Sequence, residues 1–507
     1  MSGWGSGYIT DINYKAGYYP QQSPYHQAVC GTLCGVRIDM PGPDDRLSYL
    51  ELGSGIGLGA IMLAASNPSW TVTAIDFNPA HVVMARRMAA EAGLGNISFI
   101  EADLSTLADE PSLAEIPHAD FVSLHGVWSW VAPSVQAGIV RLLKARVRPG
   151  GVVHVSYNAL PGWQGAIGLQ RLIREAGNRS AGRSDNQVAE GLALARSLLA
   201  ADAKYVQQYS IATGMLERFG QATPEYLAHE LMNACWAPCF HADVADAMGG
   251  ARLEWVGSAG ITENFPELML DAPQRELVFK QPDVMMRELV KDMCVGRLLR
   301  SDIFVRGAVR ISNVTRDRAL GELTLGLSVA PEKFSYEMAL PVGTVTMNAP
   351  FYGTVVAALA DGPRLVRELV ALPGLVTSDG GPARNPAELV GMLIGSDQAE
   401  FVVRPGADAG VGARRTNAAT ARSLVDVANL GPGLCAASER LGGAMRCSGL
   451  ELFLIERVAA VGGWIDPAPW VAELGPELPA DQAEKLHEMM CKIAEDRLPA
   501  WRVAGLV

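Results

Sequence analysis

Between residues 46 and 158, short apolar runs alternate with longer stretches in which apolar positions recur every three or four residues. YLEL (49–52), TVTAID (71–76), ISFIEAD (97–103), DFVSLHGV (120–127) and VVHVSY (152–157, after the turn RPGG) predict strands. IMLAA (61–65) and AHVVMARRMAAEAG (80–93) predict helices between them. Strands that alternate with amphipathic helices in this way predict a parallel, doubly wound sheet.

After Trp163 the pattern is helical to Trp236, broken by the loop GNRSAGRSDN (177–186). ADVADAMGGARLEWVGSAG (242–260) then reads as one more helix and strand, and SDIFVRGAVRI (301–311) as a further strand. PFYGTVVAALADG, RLVRELVALPG, NPAELVGMLIGSD and AEFVVRPG suggest three helices and a strand, as in a winged helix. The expected organisation is an arm rich in Gly, Tyr and Pro (1–45) and an α/β, Rossmann-like core (46–163). An inserted helical cap over the carboxyl edge of the sheet (164–236) follows, then the completion of that sheet (237–312), a winged-helix-like middle domain (313–405) and an Ala- and Gly-rich C-terminal helical domain (406–507).

The length of 507 residues fits two to four domains, and a net charge of -12 weighs against a general binder of nucleic acid or acidic membrane. The middle segment 341–405 sets Arg364, Arg367, Arg384 and Arg404 against Asp361, Glu368, Asp379, Glu388, Asp397 and Glu400, and its third helix has no Lys or Arg. Protein docking or homodimerisation suits it better than DNA. Eight thinly spread cysteines read as thiols in a reducing compartment. The pairs Cys30/Cys34 and Cys235/Cys239 read as structural cysteines rather than zinc ligands, so no metal is expected. The start MSGWGSGYIT lacks the form of a secretory signal and no 18-residue uncharged apolar run occurs, which predicts a cytoplasmic protein with no membrane insertion.

Candidate chemistry begins at YLELGSGIGLGA (49–60), where an apolar run ends in Glu51 and breaks into Gly53, Gly55 and Gly57. GIGLGA satisfies the dinucleotide pattern GxGxxA; read from Glu51, the same letters give ExGxGxG. A carboxylate at the loop mouth suits the ammonium and sulfonium of S-adenosylmethionine better than a pyrophosphate. Asp76 ends the second strand, where both cofactor classes use an acid on the ribose. Asp103, just past the third strand, is placed to accept from an adenine amino group, which dinucleotide enzymes do not require. Three acids at successive strand ends favour S-adenosylmethionine.

Ligands of open parallel sheets bind outside the carboxyl ends of the strands. His125 ends the fourth strand there, either as a general base or as a shaper of the pocket. Trp128 and Trp130 follow it, Tyr157 and Asn158 end the fifth strand, and Tyr18 and Tyr19 lie in the arm. Aromatic faces attract cations, so the cluster is read either as a seat for a sulfonium or substrate ammonium or as packing for the cap. The (D/N)PPY signature of many amide and nucleobase N-methyltransferases is absent.

GYY (17–19), YLELGSGIG, AIDFNPAH, ADFVSLHGVWSWV and RPGGVVHVSYNALPGW, with a looser continuation in HADVADAM, VGSA and LRSDIFVRG, resemble bacterial class I methyltransferases that carry a methyltransferase regulatory domain. That family includes the rickettsial protein lysine methyltransferases acting on an outer-membrane protein. The resemblance implies a Rossmann-like domain that binds S-adenosylmethionine. Carried over, Glu51, Gly53, Ser54, Gly55 and Gly57 form the cofactor loop; Asp76, with Phe77 and Asn78, holds the ribose; Ala102, Asp103 and Leu104 frame the adenine. Tyr19 and His125 complete the cofactor set, and His125, Trp128, Tyr157 and Tyr18 are the candidate catalytic residues. The leading expectation is methyl transfer to a protein lysine. A small-molecule, sugar or lipid acceptor comes second, ahead of a non-catalytic binder and an NAD-linked oxidoreductase.

Overall fold

The computed structural model describes residues 7–12, 17–220, 222–373, 375 and 385–507; Asp379 and Arg384 of the middle-segment charge count fall outside them. Five parallel strands, β1 (Ser48–Leu52), β2 (Thr71–Asp76), β3 (Ile97–Glu101), β4 (Ala119–Leu124) and β5 (Val147–Asn158), are followed in the chain by β6 (Leu253–Ser258) and β7 (Leu299–Arg306). The sheet order is β3-β2-β1-β4-β5-β7-β6, with β7 antiparallel to both of its neighbours. Strand order reverses between β1 and β4, where Glu51 pairs with Ser123 in register. A crevice forms at such a reversal because the connections leave in opposite directions.

Successive strand residues face opposite sides, and the two sides bury separate cores. Tyr49, Val72, Ala74 and Val152 pack with α1 (Pro24–Leu33), α2 (Leu58–Ser66) and α3 (Pro79–Ala92). Leu50, Leu52, Val122 and Val153 pack with α4 (Pro133–Arg146) and with Val244 and Met248 of the helix His241–Gly249. Local chemistry sets the ends of α3: Pro79 occupies its first turn, the Asn78 side chain accepts from the Ala80 N–H, and Gly93 ends it at φ 70°.

Between β5 and the helix His241–Gly249 the described residues form five α-helices: α5 (Ile167–Gly177), α6 (Ser184–Ala200), α7 (Lys204–Gln208), α8 (Ser210–Phe219) and α9 (Pro224–Leu231). They enclose their own core, built on Leu169, Ile173, Leu192 and Leu227. Ile12 of the amino-terminal arm is part of that core, the Asp11 carboxylate accepts from the Ser184 N–H and hydroxyl, and the Ile9 N–H donates to Asn233. The arm therefore ties the helical insertion to the sheet.

Beyond the sheet, β8 (Thr324–Leu327) lies between β11 (Arg364–Leu365) and β12 (Ala399–Phe401), all antiparallel, with a separate hairpin of β9 (Glu337–Leu340) and β10 (Gly343–Thr346). A strand, β12, does follow the third helix, Pro386–Gly395, but its partner β8 comes from upstream of all three helices. The segment after 406 is not wholly helical, because Pro432–Ser438 and Gly443–Ser448 form a hairpin. That hairpin is fastened to the end of α2, where the Ser66 hydroxyl donates to the Gly443 carbonyl and Asn67 to the Gly442 carbonyl.

Candidate active site

A cavity of about 530 Å³ opens at the carboxyl ends of β1, β2 and β4. Its floor is the loop between β1 and α2, in which Gly53, Gly55 and Gly57 all have positive φ (71°, 54° and 73°). A side chain at Gly53 would strike Val127, and one at Gly57 would strike the Phe99 ring. Gly55 has open space where a Cβ would point, and it lines the cavity. Backbone N–H groups of Gly53 and Ser54 donate to the Ile75 carbonyl (2.8 and 3.0 Å), which fixes the loop against β2.

Two acids enter from the strand ends. Asp76 accepts from the Gly55 N–H (2.7 Å) and the Asn78 N–H (2.9 Å), leaving each carboxylate oxygen a further lone pair. His81 lies 3.4 Å away. Glu51 is buried, and its Oε1 accepts from Gln22 of the arm (3.1 Å), while Oε2 has no hydrogen bond of ordinary geometry. Burial pushes the Glu51 carboxyl up to about 7, with the charge of Asp76 adding to the shift and the Gln22 bond opposing it. A buried acceptor without a donor calls for an explanation. An ammonium in the cavity supplies one, and the open face of Gly55 leaves room for the rest of such a ligand.

Ala102, Asp103 and Leu104 line a second wall; the Asp103 carboxylate also accepts from the Ser105 N–H. Opposite, His125 is stacked on Tyr19, with ring centroids 3.9 Å apart and an interplanar angle of 30°. Its Nδ1 is 3.1 Å from the Ser156 hydroxyl, which itself accepts from the Gly126 N–H. Burial lowers the His125 imidazole to about 4, so it is neutral near pH 7. Trp130 joins this wall and packs against Trp236, which meets Trp163 edge-on.

The structure therefore brings Tyr19, Glu51, Gly53, Ser54, Gly55, Asp76, Phe77, Ala102, Asp103, Leu104, His125 and Trp130 to one cavity. Gly57 and Asn78 stand behind it, shaping the loop and capping α3. Three candidate catalytic residues do not face the cavity. Tyr18 is turned to the C-terminal hairpin, where its hydroxyl accepts from the Ala444 N–H. Trp128 is buried in the core beneath, against α4. Tyr157 does not line the cavity and donates to Asp302 (2.6 Å), within a buried network that includes Arg300 and His241. The sequence reading missed Tyr8 and Gln22, because both lie outside the arm's one recognised phrase, GYY (17–19), and reach the cavity only through the fold.

The chain matches the family described as methyltransferase domain over residues 50–151 and that described as predicted methyltransferase regulatory domain over 223–306. An uncharacterized protein of Synechocystis is 31% identical over 366 residues, 72% of this chain and 71% of that protein. An uncharacterized protein of Rickettsia prowazekii is 22% identical over 363 residues, 69% of this chain and 62% of that one. Among solved structures, PKMT2 from Rickettsia typhi shares the fold with a TM-score of 0.69, over 97% of this chain and 99% of its own, at 16% identity. A further structure of that protein holds AdoHcy.

Fold and family match together define a class I, S-adenosylmethionine-dependent methyltransferase. The chain belongs to the family that joins this domain to the predicted methyltransferase regulatory domain. Among the described residues no group of three or more His, Cys, Asp or Glu side chains converges as a metal site, and no helix is long and apolar enough to cross a membrane.

Proposed function

We propose that the protein transfers a methyl group from S-adenosylmethionine to a lysine amine of a protein or peptide. The observation that carries this reading is the wall opposite the glycine loop: aromatic rings of Tyr8, Tyr19 and Trp130 beside a neutral His125, at a cavity already furnished with two acids. Ring faces attract a cation within about 6 Å, which suits the arriving end of a lysine side chain. The resemblance to rickettsial protein lysine methyltransferases supports the same acceptor.

In this reading Glu51 takes the donor's ammonium, Asp76 the ribose hydroxyls, and Ala102, Asp103 and Leu104 the adenine, with Gly53, Ser54, Gly55 and Phe77 completing the floor. S-adenosylmethionine supplies a methyl group made electrophilic by its positive sulfur. The chain's residues align the amine with that group and exclude water. A lysine ammonium must first lose a proton, which an aromatic, poorly hydrated seat favours by lowering the amine pKa. His125, lowered to about 4, is too weak a base to take that proton and serves as a wall held by Ser156. Incubation with methyl-labelled donor and a bacterial lysate tests the reading: label belongs in methyl-lysine of the protein fraction.

A further inference from the structure

Two ring contacts and one hydrogen bond hold His125. Tyr19 is stacked on its ring, His154 is stacked beside it with centroids 5.8 Å apart, and Nδ1 is 3.1 Å from the Ser156 hydroxyl. That last contact decides where the imidazole proton sits. The Ser156 oxygen already accepts from the Gly126 N–H (2.8 Å), the residue is buried, and among the described residues no other group takes the hydroxyl proton. A proton on Nδ1 would bring two donors onto one oxygen and leave the Ser156 O–H buried without an acceptor, which folded proteins avoid. The hydroxyl therefore donates to Nδ1, and the neutral ring carries its proton on Nε2. With Nδ1 spent on Ser156, the Nε2–H is the polar edge the ring has left for the cavity it lines, and among the described residues nothing in the protein accepts from it.

The charges of the cavity say what that N–H is for. Glu51, Asp76, Glu101, Asp103 and Glu110 line it, and among the described residues no Lys or Arg does. The methionine end of S-adenosylmethionine brings an ammonium, which Glu51 can take, and on the same carbon a carboxylate, for which no cation stands ready. That carboxylate must meet neutral donors. Glu51 pairs in register with Ser123 of β4, and His125 follows that strand, so a carboxylate one carbon away from a Glu51-bound ammonium falls in the crevice that His125 borders. We propose that the His125 Nε2–H donates to the carboxylate of S-adenosylmethionine, and that Ser156 is the positioning residue that holds the ring in the form able to do so. The pair makes the site read the amino-acid end of the donor. The proposal rests on the placement of the donor's ammonium at Glu51.

Calorimetry on the full chain tests it by comparing S-adenosylmethionine with decarboxylated S-adenosylmethionine, which keeps the sulfonium and the ammonium and lacks only the carboxylate. Wild type is expected to prefer the intact donor by at least about tenfold. His125→Phe, which keeps a ring against Tyr19, should bind S-adenosylmethionine about tenfold more weakly and the decarboxylated compound nearly as wild type does. Ser156→Ala should lose part of the preference, and Ser156→Thr, which restores a hydroxyl, should regain it. Nitrogen-15 NMR of the wild-type histidine rings should show His125 protonated on Nε2, with an Nδ1 resonance that moves in Ser156→Ala. A proton on Nδ1 in the wild type, or an equal loss for both donors in His125→Phe, would overturn the proposal. Glu51→Gln should weaken both donors alike; unchanged binding of both would overturn the placement of the ammonium, whereas the His125 comparison alone decides the carboxylate.

Discussion

Tyr19 and His125 are stacked with ring centroids 3.9 Å apart, so the amino-terminal arm closes directly on the end of β4. The contact joins a segment without recognisable chemistry to the residue that follows the fourth strand of the sheet. Stacked aromatic pairs contribute about 0.5–1.5 kcal/mol beyond their buried area. Tyr19→Ala is therefore expected to slow methyl transfer by up to about tenfold in single-turnover assays, while Tyr19→Phe keeps the ring and the rate. An unchanged rate in Tyr19→Ala would remove the arm from the acceptor wall.

Glu51 links donor binding to pH. Its carboxyl is raised to about 7, chiefly by burial, and the proposed partner is an ammonium that requires the ionised form. Between pH 5.5 and 7, calorimetry should show S-adenosylmethionine affinity rising with pH by up to about tenfold per unit. Glu51→Gln should bind more weakly and lose this dependence.

The same residue sets a stability term of opposite sense. Because the folded carboxyl titrates above its unfolded value, its contribution is present at low pH and is lost as pH rises towards about 7. Without donor, Glu51→Gln removes a buried charge and should gain stability relative to wild type as pH rises, by up to about 3 kcal/mol near pH 8. Chemical denaturation at pH 5 and pH 8 measures the difference.

Tyr157 holds the fold rather than the acceptor. Its hydroxyl donates to the buried Asp302, and Tyr157 does not line the cavity. Tyr157→Phe should cost about 1–3 kcal/mol of stability, the scale for removing one partner from a buried polar group, and leave the transfer rate of folded enzyme near wild type. Arg300→Met should be more severe, because Glu288, Asp292 and Asp302 all pair with Arg300 and would be left buried without it. A selective loss of transfer in a stable Tyr157→Phe would return this residue to the active site.

The middle segment should not bind DNA. Its third helix, Pro386–Gly395, carries no Lys or Arg and is buried along nearly its whole length, with Gly391 close against Phe265. It has neither the charge nor the exposure to enter a groove. A mobility-shift assay at low salt is expected to show no retained duplex, and salt-sensitive retention would contradict the argument.

The sheet was legible in the sequence because buried parallel strands are continuous apolar runs and the glycine loop follows the first of them. Side-chain direction was the part that letters did not carry. Ser156 reaches His125 while its neighbour Tyr157 reaches Asp302, since successive strand residues face opposite sides. Tyr18 and Tyr19 divide in the same way, one to the hairpin and one to the cavity. The C-terminal hairpin was hidden by its Ala- and Gly-rich composition, which reads as helix until the contacts with Ser66 and Asn67 fix it as strand.

The acceptor is tested most directly by acid hydrolysis and amino-acid analysis of lysate proteins labelled by the purified enzyme from methyl-labelled S-adenosylmethionine. The label is expected in methylated lysine, and to fall when Tyr8 or Tyr19 is replaced by Ala. Label confined to the low-molecular-weight fraction, or released from the protein as methanol by mild base before hydrolysis, would contradict a lysine acceptor.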